Sequence, residues 1–241
     1  MPTPSQHAFS EKVVLVNGGT TPIGRAVALQ LALYGAFVIV SHPVGDDALA
    51  DIDELKSLGT LAATAPFAAS GLSGAGEVKL KVEELYGRLD LLVNCTVLEA
   101  FGDFASTSEE RFSEVLEKSL KSTFFNTREC LGLMMNRPKP KIVNIYSACN
   151  GEDSVSDLLL RSVNESIAEL TRVLASELPA HFRVNGIRVS EKGSVKEIDK
   201  GLDPELFRPK SGVDPDDVAR TVLFLLSSEA AGVNGQILDI S

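Results

Sequence analysis

Short, almost wholly apolar runs alternate with helical patterns along this chain, and that alternation restricts its fold more than any other feature. "KVVLVN" (12–17), "AFVIVS" (36–41), "TLAATAPF" (60–67), "LDLLVNC" (89–95), "KIVNIYS" (141–147), "RVNGIRV" (183–189) and "QILDI" (236–240) read as strands. Helices are expected over 26–35, 46–59, 76–87, 108–135, 155–178 and 214–228. Strands apolar at successive positions are buried on both faces, so helices must cover both. Strict β/α alternation then gives a doubly wound parallel sheet of about seven strands. One domain is expected over 11–241, behind a loose, flexible tail at 1–10. The polar stretch "SEKGSVKEIDKGLDPELFRPKSG" (190–212) follows the sixth strand. It reads as a loop over the carboxyl edge of the sheet, either a solvated connection or a lid over a substrate up to residue 213.

With 241 residues, 44% of them hydrophobic, the chain can bury one sizeable core. No apolar run is long enough to span a bilayer, and the first ten residues lack the apolar stretch of a secretory signal. The formal net charge of −10 disfavours a nucleic-acid or anionic-membrane partner. Cys95, Cys130 and Cys149 lie far apart, without zinc-ligand spacing and in an odd number. The expectation is buried, reduced thiols in a cytoplasmic protein with no metal.

The first strand runs into "NGGTTPIGRA" (17–26). Glycines between a first strand and helix allow a tight turn, and the helix N-terminus favours a pyrophosphate there. With the strand before it and the helix after it, this turn makes the sheet Rossmann-like. Here the chain resembles the short-chain dehydrogenase/reductase family, whose glycine pattern is TGxxxGxG; Asn17, Gly18, Pro22, Ile23 and Gly24 stand at its defined positions. The resemblance continues in order. "LDLLVNCTV" is similar to DxLVNNAG, "KIVNIYSA" to the strand carrying the active-site serine, and "IAELTRVLASEL" to the later part of the catalytic helix. "RVNGIRV" is similar to RVNAIxPG, and "DPDDVARTVLFLLSS" and "GVNGQILDI" to the last helix and strand.

The resemblance implies reduction of carbonyls or oxidation of alcohols with NAD or NADP. In the family a tyrosine is the general acid or base, and a lysine one helical turn later lowers its pKa. A serine orients the substrate oxygen, and an asparagine on the preceding helix completes a proton relay. Ser147 falls at the serine position. Counting on from Ser147 puts the tyrosine position at Leu160. Counting back from "ELTR" (169–172) puts the lysine position at Asn164 and again the tyrosine at Leu160. The asparagine position is Ser119. A slipped register does not restore the pair: Tyr34, Tyr86 and Tyr146 are followed at the lysine spacing by Val38, Asp90 and Asn150.

For a nucleotide, the resemblance nominates Gly18, Thr20, Thr21, Ile23, Gly24, His42 and Asn94. His42 stands where an acidic residue would hold an adenine ribose, or else is an exposed loop histidine. Asn94 could instead tie strands together. Pro22 replaces a glycine, adds bulk and removes an N–H. Cys95, Thr96 and Val97 depart from NNAG. Phe67 stands near the position of an adenine-facing aspartate, and Val189 and Ser190 replace a Pro-Gly. So many changes on one groove point to relaxed selection or a different ligand.

Three readings follow. The first is a non-catalytic scaffold or partner subunit, a homodimer or homotetramer or a heteromer with an active relative. The long helix pair and the last strand would form the contact; Leu160, Val163, Ile167, Leu170, Leu174 and Leu178 recur at helical spacing and could pack either on the sheet or on another subunit. The second is an atypical, weak NAD(P)-dependent oxidoreductase. The third is a cofactor-independent enzyme using Ser147, Ser119, Asn164 and Cys149. A serine hydrolase is disfavoured: "GLSGA" (71–75) reads as a loop rather than a nucleophile elbow. The acidic pairs at 109–110 and 216–217 suit helix starts.

Overall fold

Each apolar run becomes a strand. They are β1 (Val13–Asn17), β2 (Phe37–Pro43), β3 (Ala62–Phe67), β4 (Leu91–Thr96), β5 (Lys141–Ala148), β6 (Arg183–Ser190) and β7 (Ile237–Ile240). This computed structural model describes residues 8–46, 49–57, 61–96, 104–148, 158–190 and 213–240. The strands form one sheet in the order β3-β2-β1-β4-β5-β6-β7, all pairs parallel. The helices are α1 (Pro22–Leu33), α2 (Leu49–Ser57), α3 (Gly71–Tyr86), α4 (Glu109–Leu116), α5 (Ser122–Met134), α6 (Leu158–Glu177) and α7 (Pro215–Leu226). After β3 the chain returns past β1 to make β4. The strand order reverses between β1 and β4, and loops diverge above their carboxyl ends. In open α/β sheets that crevice is where ligands bind.

Side-chain alternation divides the core into two layers. Val14, Val16, Val38, Val40, Leu91 and Val93 pack with α1, α2 and α7. Val13, Leu15, Ile39, Leu92 and Ile142 face α3 and α5. Beside that second layer, Val163 and Ile167 of α6 pack on Tyr146 and Val115. The apolar stripe of α6 therefore lies against its own sheet: Leu160, Val163 and Ile167 are buried, and Leu174 and Leu178 are partly so.

Three local features differ from the sequence expectation. Phe9, placed in the loose tail, is 2% exposed and belongs to the first core layer. Its N–H donates to Tyr34 O at 3.2 Å, because the turn after α1 leaves that carbonyl open. The helix expected over 108–135 is interrupted by a π-helical turn, Glu117–Lys121. "GLSGA" is the start of α3 rather than a loop. A Cβ on Gly74 would lie 1.8 Å from Ala69 O, so a glycine there lets the incoming chain cross the helix closely. The acidic helix starts are as expected. Ser108 caps Arg111 N at 3.3 Å ahead of Glu109 and Glu110, and Asp214 caps Asp216 N at 3.0 Å. Val97, Cys149 and the loop over 191–212 lie outside the described residues.

At the opposite edge of the sheet Lys141 is 6% exposed, and its ammonium donates to Ser227 O at the end of α7. Burial, with Arg183 and Lys139 nearby, pushes its pKa down to about 8. The folded pKa lies below the unfolded one, so the unfolded chain binds more protons between pH 8 and 10.5. Lys141 therefore favours folding increasingly as pH rises across that window, and the gain is lost as pH falls through 8. Urea unfolding of Lys141→Met and the parent should show the gap between them shift in the parent's favour from pH 8 to 10. A gap independent of pH would overturn this. The comparison is needed because Cys130 and Tyr146, both pushed up to about 12 by burial, favour unfolding as pH rises past 9 to 10.

Candidate functional site

The glycine turn ends β1 and starts α1. Gly18 has φ +73°, and a Cβ there would lie 2.4 Å from Cys95 O of β4. A Cβ on Gly24 would lie 2.2 Å from Gly18 O, so helix and turn touch backbone to backbone. Thr21 is the N-cap: its hydroxyl donates to Gly18 O at 2.7 Å and accepts from Gly24 N at 3.1 Å. Pro22 is the first helical residue, and it is exposed. Proline suits that position, and its ring stays outside the crevice, contrary to the expectation that its bulk obstructs the groove. The lost N–H remains a loss. With Gly24 capped by Thr21, Ile23 supplies the open N–H of the first turn.

Above this turn lies a cleft of about 550 Å³, a size that suits a small organic ligand. Gly18, Thr20 and Thr21 line it, as the sequence nominated, together with Phe67, Cys95 and Thr96. Ile23, Gly24, His42 and Asn94 are not among its lining residues. His42 is a correction. It is a β2 residue, 8% exposed, with Nδ1 2.9 Å from Pro43 O. Alternation turns Ser41 and Pro43 into the cleft and His42 away from it. Asn94 is 0% exposed and ties the sheet together. Its amide donates to Asn144 Oδ1 at 2.9 Å and Thr127 Oγ1 at 3.0 Å, and it accepts from Asn17 Nδ2 at 3.4 Å. Ser41 donates to Asn17 at 2.8 Å and Asn144 to Thr171 at 2.9 Å, completing a polar row across four strands and two helices.

Sequence reasoning missed Ser41, Asp46, Ser122 and Asn126, and the charges Glu114, Glu117 and Lys118, all of which line the cleft. Asp46 sits just past β2, four residues beyond the position searched for an acid, and its carboxylate accepts from Thr20 Oγ1 at 3.3 Å. Asn126 follows Ser119 by seven residues, but Ser119 lies in the π turn, and Asn126 lines the cleft while Ser119 does not. Lys118 and Arg111, bonded to Glu114, hold its carboxyl below the usual carboxylate range.

The four positions that the resemblance nominated as catalytic are not among the lining residues of this cleft. Leu160 is 3% exposed. Asn164 Nδ2 donates to Ser147 O at 2.6 Å, pinning α6 to β5. Ser119, in the π turn, donates to Val115 O. Ser147 is 6% exposed at the end of β5. Tyr146 is the nearest phenol in sequence. Its ring packs among Val115, Val163 and Ile167, its Oη is buried with no hydrogen-bond partner among the described residues, and its pKa is pushed up to about 12 by burial. Among the described residues no helix is long and apolar enough to cross a membrane, and no three His, Cys, Asp or Glu side chains group as metal ligands.

The family profile described as short chain dehydrogenase matches residues 12–191. The (2S)-[(R)-hydroxy(phenyl)methyl]succinyl-CoA dehydrogenase subunit BbsD of Thauera aromatica is 30% identical over 244 residues, 95% of each chain. The 3-oxoacyl-[acyl-carrier-protein] reductase FabG of Aquifex aeolicus is 29% identical, over 95% of this chain and 96% of that protein. Among solved structures, a short chain dehydrogenase from Burkholderia cenocepacia J2315 in complex with NADP superimposes with a TM-score of 0.83. It is 21% identical, over 97% of this chain and 98% of that one.

Proposed function

The chain belongs to the short-chain dehydrogenase/reductase family, and from that premise we propose that it is a redox-silent member acting as a scaffold or partner subunit. The observation that carries this reading is helix α6. Reducing a carbonyl requires a proton for the oxygen that hydride transfer leaves charged. Leu160 has none to give and is buried, and Asn164 brings an amide bonded to a backbone carbonyl in place of a cation. Reorienting Tyr146 would mean pulling a buried ring out of an apolar cluster.

The adenosine half of the groove is better preserved than the hydride half. The close packing at Gly18 and Gly24 and the open cleft fit a dinucleotide fold. In this reading NAD or NADP is a structural or regulatory occupant rather than a turned-over reductant. Partner binding uses the outer faces of α4, α5 and α6, where Phe112, Phe124, Leu158 and Val173 are exposed. Either a second copy or an active relative is the partner. The alternative, a weak NAD(P)-dependent oxidoreductase, is supported by the reductase relatives.

One experiment separates the two. The purified full chain is sized by light scattering and assayed for NADH and NADPH consumption against a panel of ketones and β-ketoacyl thioesters. A dimer or tetramer with consumption at the buffer rate is expected. Turnover by the unaltered chain would sink the redox-silent reading, and a monodisperse monomer would sink self-association.

A further inference from the structure

Because the strands are all parallel, they all begin at one edge of the sheet, opposite the crevice. Basic residues stand at the starts of four neighbouring strands there. Lys12 precedes β1, Arg88 precedes β4, Arg137, Lys139 and Lys141 lead into β5, and Arg183 opens β6. Pro138 and Pro140 keep the β5 approach from continuing the helix before it, so its cations stand on the edge itself. Register brings the strand starts level. Val13 N donates to Asp90 Oδ2 at 3.0 Å, Lys141 N to Asp90 O at 3.2 Å, and Lys141 pairs with Arg183 across β5 and β6. Beyond burial, Arg183, Lys139 and Lys12 each lower the pKa of Lys141, as cations close together do.

Little within the chain answers this charge. Asp90 takes Arg137 Nε at 2.8 Å, Arg88 Nε at 3.8 Å and Lys12 Nζ at 3.9 Å. Among the described residues no carboxylate pairs with Lys139, Lys141 or Arg183. Lys141 donates to Ser227 O, and Arg183 to Ala231 O at 2.7 Å and Ala180 O at 2.8 Å. Those bonds satisfy carbonyls left open after helix ends and leave the positive charge whole. Lys139 makes no such bond among the described residues and is exposed. Finishing helix ends therefore does not account for it. In a chain of net charge −10, a row of this sign is the exception.

The extent of the row selects the partner. Four neighbouring strands span about 14 Å at about 4.8 Å per spacing, the length of about four extended residues. Glu11, Glu177 and Glu229 follow in the chain from the same edge. A nucleic acid or a membrane surface would run on past the basic row toward these carboxylates, whereas a short segment would not. The side chains of Arg88 and Arg137 are 40% and 28% exposed, and a guanidinium fork suits carboxylates. We propose that the amino edge of the sheet docks an acidic segment of a partner protein, about four carboxylate-bearing residues long, on Lys12, Arg88, Arg137, Lys139 and Arg183. This surface is separate from the crevice and from the helix faces assigned to self-association, and it stands whether or not the chain turns over ketones.

Fluorescence anisotropy of a labelled hexaglutamate peptide, titrated with the full chain, tests it. The comparison probes are a labelled oligothymidylate and vesicles of phosphatidylcholine with phosphatidylserine. Hexaglutamate should bind at low salt and weaken at least ~10-fold on raising sodium chloride from about 0.05 to 0.3 M. Lys139→Glu should weaken it about 5-fold, since the change removes an attraction and adds a repulsion. Arg161→Glu makes the same change of net charge near the start of α6, toward the other edge of the sheet, and should alter binding by less than about 1.5-fold. Both side chains are exposed, and both variants should melt with the parent. Absence of hexaglutamate binding at low salt overturns the proposal, as does an equal loss in the two variants. Tighter binding of the oligonucleotide or the vesicles assigns the edge to another class of partner and overturns it too. So does an oligomer that Lys139→Glu dissociates, because the occupant would then be a second copy of this chain.

Discussion

Replacing Asn94 by leucine should lower the stability of the fold by roughly 4 kcal/mol. Leucine has the same branching and heavy-atom count as asparagine but is bulkier, so the change opens no cavity, adds a small overpacking cost and tests the polar row itself. Asn94 is fully buried and holds three partners. Without it Asn144 Oδ1 loses its donor and Thr127 a donor to its oxygen. Asn17 keeps Ser122 at 3.0 Å and Ser41 at 2.8 Å, so its loss is partial. Two buried orphans and one weakened amide, at about 1–3 kcal/mol for each full loss, give that magnitude. Urea unfolding measures it from the midpoint, with the slope unchanged if the unfolded state is unaffected. A loss below about 1 kcal/mol would show that the row relaxes around an apolar residue and that Asn94 is not structural.

Gly24→Ala should be destabilising by about 2–3 kcal/mol, although alanine is the better helix former by about 1 kcal/mol. The new methyl would lie 2.2 Å from Gly18 O, 2.9 Å from Gly19 Cα and 3.0 Å from Gly18 C. All three are backbone atoms, so no rotamer change relieves the contact, and α1 must lift from the turn. Gly132, also inside a helix, has nothing within 4 Å of its Cβ position. Gly132→Ala should therefore be stabilising by up to about 1 kcal/mol. The pair has opposite signs for one chemical change. Thermal melts of both variants check it, and a shift in the same direction for both would refute the close-packing account of Gly24.

Much of the fold was legible because its signals are local. All seven strands lie where the apolar runs put them, within a few residues. The helices followed from their periodicity, except that the glycine-containing starts hid the first turns of α1 and α3. The π turn at Glu117–Lys121 was not legible, since one extra residue in a helical turn leaves the apolar period nearly unchanged. Ser147, Leu160, Asn164 and Ser119 could be singled out from register alone. What the side chains of Asn164 and Ser119 do could not, because their partners are backbone carbonyls, which every residue carries.

His42 and Asp46 show where local reading stops. The end of β2 was the right place to look for a ribose partner, yet the parity of the strand turns Ser41 and Pro43 to the cleft and His42 to the other layer. Which face borders the crevice depends on the side by which the chain crosses back, and no single strand encodes that. Asp46 and Asn126 are separated by eighty positions in sequence and meet at one cleft only once α5 packs beside α3.

By itself the sequence determined the order of elements, the glycine turn, the family and the absence of any Tyr-x-x-x-Lys, since periodicity and spacing are properties of neighbouring residues. The tertiary structure alone decided that Asn94 is a strut, that Leu160 is packed in the interior, and that Asn126 and Ser122 line one cleft with Asp46. Hydrogen bonds between distant segments and the face each strand shows its neighbours exist only after the sheet has closed on its helices.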